Sequence, residues 1–176
     1  MSAQVDRILE KVQAQGGMLN APISERAIQE FESAHGIHLP AGYREFLLRV
    51  GNGGDGPPCY GLGPLGLPAN DMPPEQARWW IELRDVQESF PFTRYWIWDV
   101  GQETDEGGLE QVKHGSIYIG NDGCGAYWHL IITGPERGNV WMISGEGVQP
   151  ACPKRDFLTW YEDWLDGKGS FYAFPQ

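Results

Sequence analysis

A chain of 176 residues with 41% hydrophobic content can bury one core of ordinary size and is too apolar to be disordered throughout. Its formal charge is −11, and no clustered Lys and Arg are present to meet phosphates, so nucleic acid is disfavoured as a direct partner. No apolar run approaches the ~20 residues that span a bilayer, and the charged N-terminus MSAQVDRILEKVQAQ is unlike a secretory signal, so a cytoplasmic protein is expected.

The first predicted element is a helix over residues 4–15. Val5, Ile8, Leu9 and Val12 form its apolar stripe, and Gly16-Gly17 end it. A second helix is predicted over 24–35, with Ser24 as N-cap and Ile28 and Phe31 on one face. It ends near Gly36. Pro40 fits the first turn of a third helix, over 40–50, because its missing N–H is not needed there. Tyr43, Phe46, Leu47 and Val50 lie on the buried side, and Asn52-Gly53-Gly54 stop the helix. From Gly51 to Asn70, eleven of twenty residues are Gly or Pro, a density that no helix or central strand survives. This stretch reads as a functional loop or as a connection wrapped over a sheet. A short helix is predicted within Pro74–Ser89, with Trp79, Trp80 and Leu83 as its apolar residues.

The second half changes period from 3.6 to 2. Strands are predicted over 95–100, 116–119, 126–133 and 139–144, with the turn of one hairpin at Gly120–Gly125. In 126–133, apolar and aromatic residues fall on both faces, as in a strand covered from both sides. A last helix is predicted over 156–166. Asp156 caps it, and Phe157, Trp160, Tyr161, Trp164 and Leu165 follow at helical spacing. Leu39, Phe46, Trp160 and Trp164 are the expected buried anchors. The order of elements predicts a single α+β domain over 1–176, a largely antiparallel sheet with helices packed on one face.

The segment from Ile23 to Gly54 carries an ordered pattern: Ile28, Phe31-Glu32, Gly36-Ile37, Leu39-Pro40, Tyr43, Phe46-Leu47 and Asn52-Gly53-Gly54. It resembles the entry motif of the SUKH, or Smi/Knr-like, superfamily. IYIGNDGCG at 117–125, GNVW at 138–141 and FLTWYEDWL at 157–165 resemble that family's later strands and terminal helix. The resemblance implies a non-enzymatic protein-binding module. Bacterial members are similar to immunity proteins that neutralise a polymorphic toxin, and fungal members to regulatory scaffolds, which is the alternative reading. Phe31, Glu32, Leu39, Pro40, Tyr43, Phe46, Asn52 and Gly53 are then structural, and no catalytic residue, metal or cofactor is implied.

Motifs that suggest chemistry are weak. Gly61–Gly66 matches G-x-G-x-x-G, but Pro64 sits inside it and Pro68 follows, so loop glycines are the better reading. Asp122, Cys124 and His129 suggest a thiol and its base, yet Gly123 and Gly125 already explain a turn. His35 and His38 lack the further ligands that zinc requires. Cys59, Cys124 and Cys152 are an odd, scattered set, which suits free thiols.

The uneven charge is more informative. Residues 82–110 hold eight acids against Arg84 and Arg94, which is −6 of the −11. A protein partner, a toxin domain with a basic surface, is expected to meet this segment: Asp99, Glu103, Asp105, Glu106 and Glu110, with Trp79 and Trp80 as aromatic anchors. The competing readings are a solvated acidic face, and core packing for the two tryptophans.

Overall fold

The computed structural model describes residues 2–16, 19–67, 83, 85–97, 111–169 and 171. Among the described residues there are four helices, and three of them begin where a short polar side chain meets a free N–H group. In α1 (Ala3–Ala14), Ser2 Oγ accepts from the Gln4 N–H. In α2 (Glu25–His35), Ser24 accepts from Ala27, and Gly36 closes the helix in the left-handed conformation. α3 (Ala41–Arg49) starts one residue later than predicted, because Pro40 is its N-cap and not its first helical residue. α4 (Phe157–Leu165) is capped by Asp156, which accepts from the Thr159 N–H at 2.8 Å. In the region predicted as a short helix, residues 85–88 form a turn, and 74–82 lie outside the described residues.

Among the described residues five antiparallel strands follow: β1 (Trp96–Ile97), β2 (Ser116–Gly123), β3 (Ala126–Ile131), β4 (Val140–Ser144) and β5 (Gly147–Pro150). Their spatial order is β1-β5-β4-β3-β2. β5 was not predicted. The β2–β3 turn is also shorter than predicted. β2 continues to Gly123, and only Cys124 and Gly125 turn, with φ of +52° and +76°. Two positive φ values in a two-residue loop match the twist of the strands. Irregular pairing between Tyr118 and Gly120, and again between Asn121 and Gly123, lets the strand run through the glycines.

The sheet divides two cores. On one face, Ile117, Ile119, Trp128, Leu130, Val140 and Met142 meet the helices through Phe46, Leu47, Phe157, Trp160 and Tyr161. On the other face, Ile131, Trp141, Ile143 and Val148 pack with Phe90 and Val112. Burial on both sides accounts for the aromatic density of β3. Leu39, Phe46 and Trp160 are buried as expected. Trp164 is only half-buried, because it lies at the end of α4, where Trp160, Phe171 and the backbone of Gly169 contact it.

The Gly/Pro-rich stretch wraps the β2 edge. Leu62 bridges Gly120 on one side and Gly54 on the other, and Gly54 in turn bridges Leu19. The Gly63 N–H donates to Ile119 O at 3.0 Å.

Candidate protein-binding surface

The motif residues of the α2–α3 hairpin build scaffold. Glu32, nearly buried, accepts from the Leu39 N–H at 2.8 Å and lies 3.6 Å from Arg44 Nε, so it pins the connection between the two helices. Tyr43 and Phe46 meet Phe157 edge-on, at centroid distances of 4.6 and 5.0 Å, which docks α3 on α4. Leu39 and Pro40 are buried at the start of α3. Phe31 sits against Gly66, where an added Cβ would lie 2.7 Å from its ring. Asn52 Oδ1 accepts from the Leu65 N–H at 2.8 Å and ties the two ends of the loop. At Gly53, φ is +71° and a Cβ would stand 2.4 Å from Pro64 N, so only glycine fits.

The cations are used internally. Arg7 and Lys11 on α1 hold Glu162 of α4, Arg44 holds Glu25, Arg49 holds Asp6 and Glu45, Lys154 holds Glu136, and Arg155 holds Asp163. The described residues contain 11 Lys and Arg against 16 acids, a balance of −5, and the remaining −6 lies in the rest of the chain. The surface is therefore acidic, with most of the described bases paired within the fold.

Trp79, Trp80, Asp99, Glu103, Asp105, Glu106 and Glu110 lie outside the described residues. The chain that leads into the acidic run is described. Tyr95, just before β1, and Trp96, on β1, are 48% and 39% exposed at the end of the described sheet, and Trp96 stacks on Phe92 at 5.7 Å. Aromatics of this kind supply much of the energy in protein interfaces.

The chemical motifs resolve into structure. His129 is buried on the second face of the sheet, with Nδ1 3.2 Å from Ser116 Oγ, while Cys124 is exposed at the hairpin tip, so no thiol–imidazole pair is presented. Burial, aided by the charge of Lys113, pushes His129 down to about 3, so it is neutral at physiological pH. Asp122 is shifted upward by burial, opposed by hydrogen bonds from Trp128 and Cys59. Gly61–Gly66 lies along the β2 edge, and an added Cβ at Gly63 would meet the Tyr118 ring at 2.6 Å. His35 packs at a tilt against Phe31 and His38 is exposed. Among the described residues there is no group of three or more His, Cys, Asp or Glu that could hold a metal, and no helix long and apolar enough to cross a membrane.

One cavity was not foreseen. Val12, Gln15, Leu19, Asp55, Gly56, Pro57, Tyr161 and Leu165 line a half-open pocket where α1, α4 and the Gly/Pro loop meet. Tyr161 belonged to the predicted apolar stripe and Asp55 to an irregular loop, so no sequence signal joined them.

An antiparallel sheet with helices on one face, entered through a glutamate-pinned helical hairpin and an Asn-Gly-Gly loop, defines this α+β class. The chain belongs to the SMI1 / KNR4 family (SUKH-1), whose family model matches residues 22–166. Comparisons with curated proteins and with solved structures each returned no match.

Proposed function

We propose that this protein is a non-enzymatic binding module of the immunity type, which neutralises a polymorphic bacterial toxin in the cytoplasm. Family membership carries the reading, being consistent with a protein-binding, immunity-type module. The toxin domain presents a basic surface. It docks on the segment from Glu82 to Glu110, with Asp99, Glu103, Asp105, Glu106 and Glu110 guiding the encounter and Trp79, Trp80 and the adjoining Tyr95-Trp96 as anchors. The exposure of Tyr95 and Trp96 beside the acidic run supports this location.

The test is co-expression with a toxin domain encoded immediately upstream. Growth rescue and a stable purified complex are expected, and the absence of both would refute the reading. Charge reversal of Asp99, Glu103, Asp105 and Glu106 should then slow association by at least tenfold at low salt, leaving thermal stability nearly unchanged. Unchanged association would place the interface elsewhere.

A further inference from the structure

The pocket at the junction of α1, α4 and the Gly/Pro loop has apolar walls and an acidic mouth. Val12, Leu19, Pro57 and Leu165 form the walls. The cavity measures about 50 Å³, room for about three to five waters at ~10–15 Å³ each. That is about the size of a short unbranched chain ending in one polar group.

Three groups in it have uncommitted oxygens. Tyr161 is 1% exposed, its ring fixed edge-on against Phe46 at 5.1 Å and parallel to Phe157, yet its hydroxyl has no hydrogen-bond partner among the described residues. Asp55 is exposed at the rim and makes no side-chain hydrogen bond or ion pair among the described residues. Gln15 donates its amide N–H to Leu165 O at 3.0 Å, which leaves its carbonyl oxygen as the free end. Asp55, Tyr161 and Gln15 together offer three oxygen acceptors and one negative charge. An alkylammonium carries three N–H donors and one positive charge on a stem that packs along apolar walls.

We infer that this cavity is an anchor pocket for a lysine side chain of the protein partner. The inference rests on the protein-binding reading above and adds a second contact to it, separate from the acidic segment. The lysine stem lies against Val12, Leu19 and Leu165, and its ammonium donates to the Asp55 carboxylate, the Tyr161 hydroxyl oxygen and the Gln15 carbonyl oxygen.

The pocket is tested first with n-butylammonium chloride, followed by methyl NMR of Val12, Leu19 and Leu165 in the full chain. Saturable shifts at those methyls are expected. Asp55→Asn should weaken binding at least tenfold, and Tyr161→Phe severalfold while retaining the fold. Neutral n-pentanol should show no dependence on Asp55. Absence of saturable shifts, or equal binding by Asp55→Asn, overturns the proposal. With a toxin domain that the wild type binds, Asp55→Asn should raise Kd at least tenfold, and an unchanged Kd overturns the assignment to a partner lysine. If the wild type binds no toxin domain, the immunity reading fails, and the butylammonium titration alone decides the pocket.

Discussion

Glu162 gathers several of the polar contacts between the first and last helices, and its replacement by glutamine measures how much they contribute. Its side chain is 12% exposed. It accepts from Arg7 Nε at 2.9 Å and Arg7 Nη2 at 3.0 Å, from Lys11 Nζ at 3.0 Å and from Gln4 Nε2 at 3.2 Å. These contacts, led by the Arg7 hydrogen bond, hold its carboxyl down at about 2. Arg7 is 54% and Lys11 31% exposed, so both regain water when the carboxylate is lost. The cost is therefore that of a surface network, below the ~3–5 kcal/mol of a broken buried pair. With one bidentate arginine and one lysine, at up to ~1 kcal/mol per exposed pair, the expected loss is about 1–2 kcal/mol. In a domain of this size it lowers Tm by about 2–8 °C. Urea unfolding at low salt should show the difference, and 1 M NaCl should shrink it. The sign with pH follows from the lowered pKa. The contribution is fully present above the ordinary glutamate range and is lost as pH falls toward about 2, so wild type and Glu162→Gln converge in acid. A loss below about 0.3 kcal/mol, or one indifferent to salt, would refute the reasoning.

Trp160→Ala, at a fully buried site 5.4 Å from Trp128, should cost about 3–5 kcal/mol in denaturant unfolding, and half-buried Trp164→Ala distinctly less. Equal costs would contradict the packing described. Gly53→Ala should destabilise by more than about 1 kcal/mol, because the methyl meets backbone at 2.4 Å and φ is positive; a neutral result in thermal unfolding would refute the fit. His129 should remain a neutral imidazole at pH 5 by ¹⁵N NMR of the folded protein. Its pKa is lowered, so the unfolded chain takes the proton first. Its contribution is present above about pH 6.5 and is lost as pH falls toward about 3, by at most ~1.4 kcal/mol per pH unit. An imidazolium signal at pH 5 would contradict its burial.

The helices were legible because each combines a start signal with a stripe. Ser24 and Asp156 cap where the apolar spacing begins, and the motif residues Glu32, Asn52 and Gly53 proved to be the pins of one hairpin and its loop. β5 was hidden because Gly147-Val148-Gln149-Pro150 has a single large apolar residue and a proline, and its pairing is supplied by β4. The hairpin turn was overestimated because glycine suits an irregular strand as readily as a loop, and Gly120 and Gly123 serve the strand. Trp164 shares the stripe of Trp160, but helical spacing does not reveal where the sheet ends beneath it. The pocket was beyond reach for another reason: Asp55 and Tyr161 meet only once α1, α4 and the loop have docked.

The bridges from Leu62 to Gly120 and from Gly54 to Leu19 also bear on assembly. A sheet grows from molecule to molecule only if each copy offers two open sides, one to give and one to receive. Here the chain covers the β2 side at Ile119–Asn121 with its own backbone, occupying the Ile119 and Asn121 carbonyls there. Pairing of two copies along the opposite margin would be self-complementary and would stop at a dimer. An exposed aromatic strand such as β1 can thus be kept for recognition without opening a route to fibres.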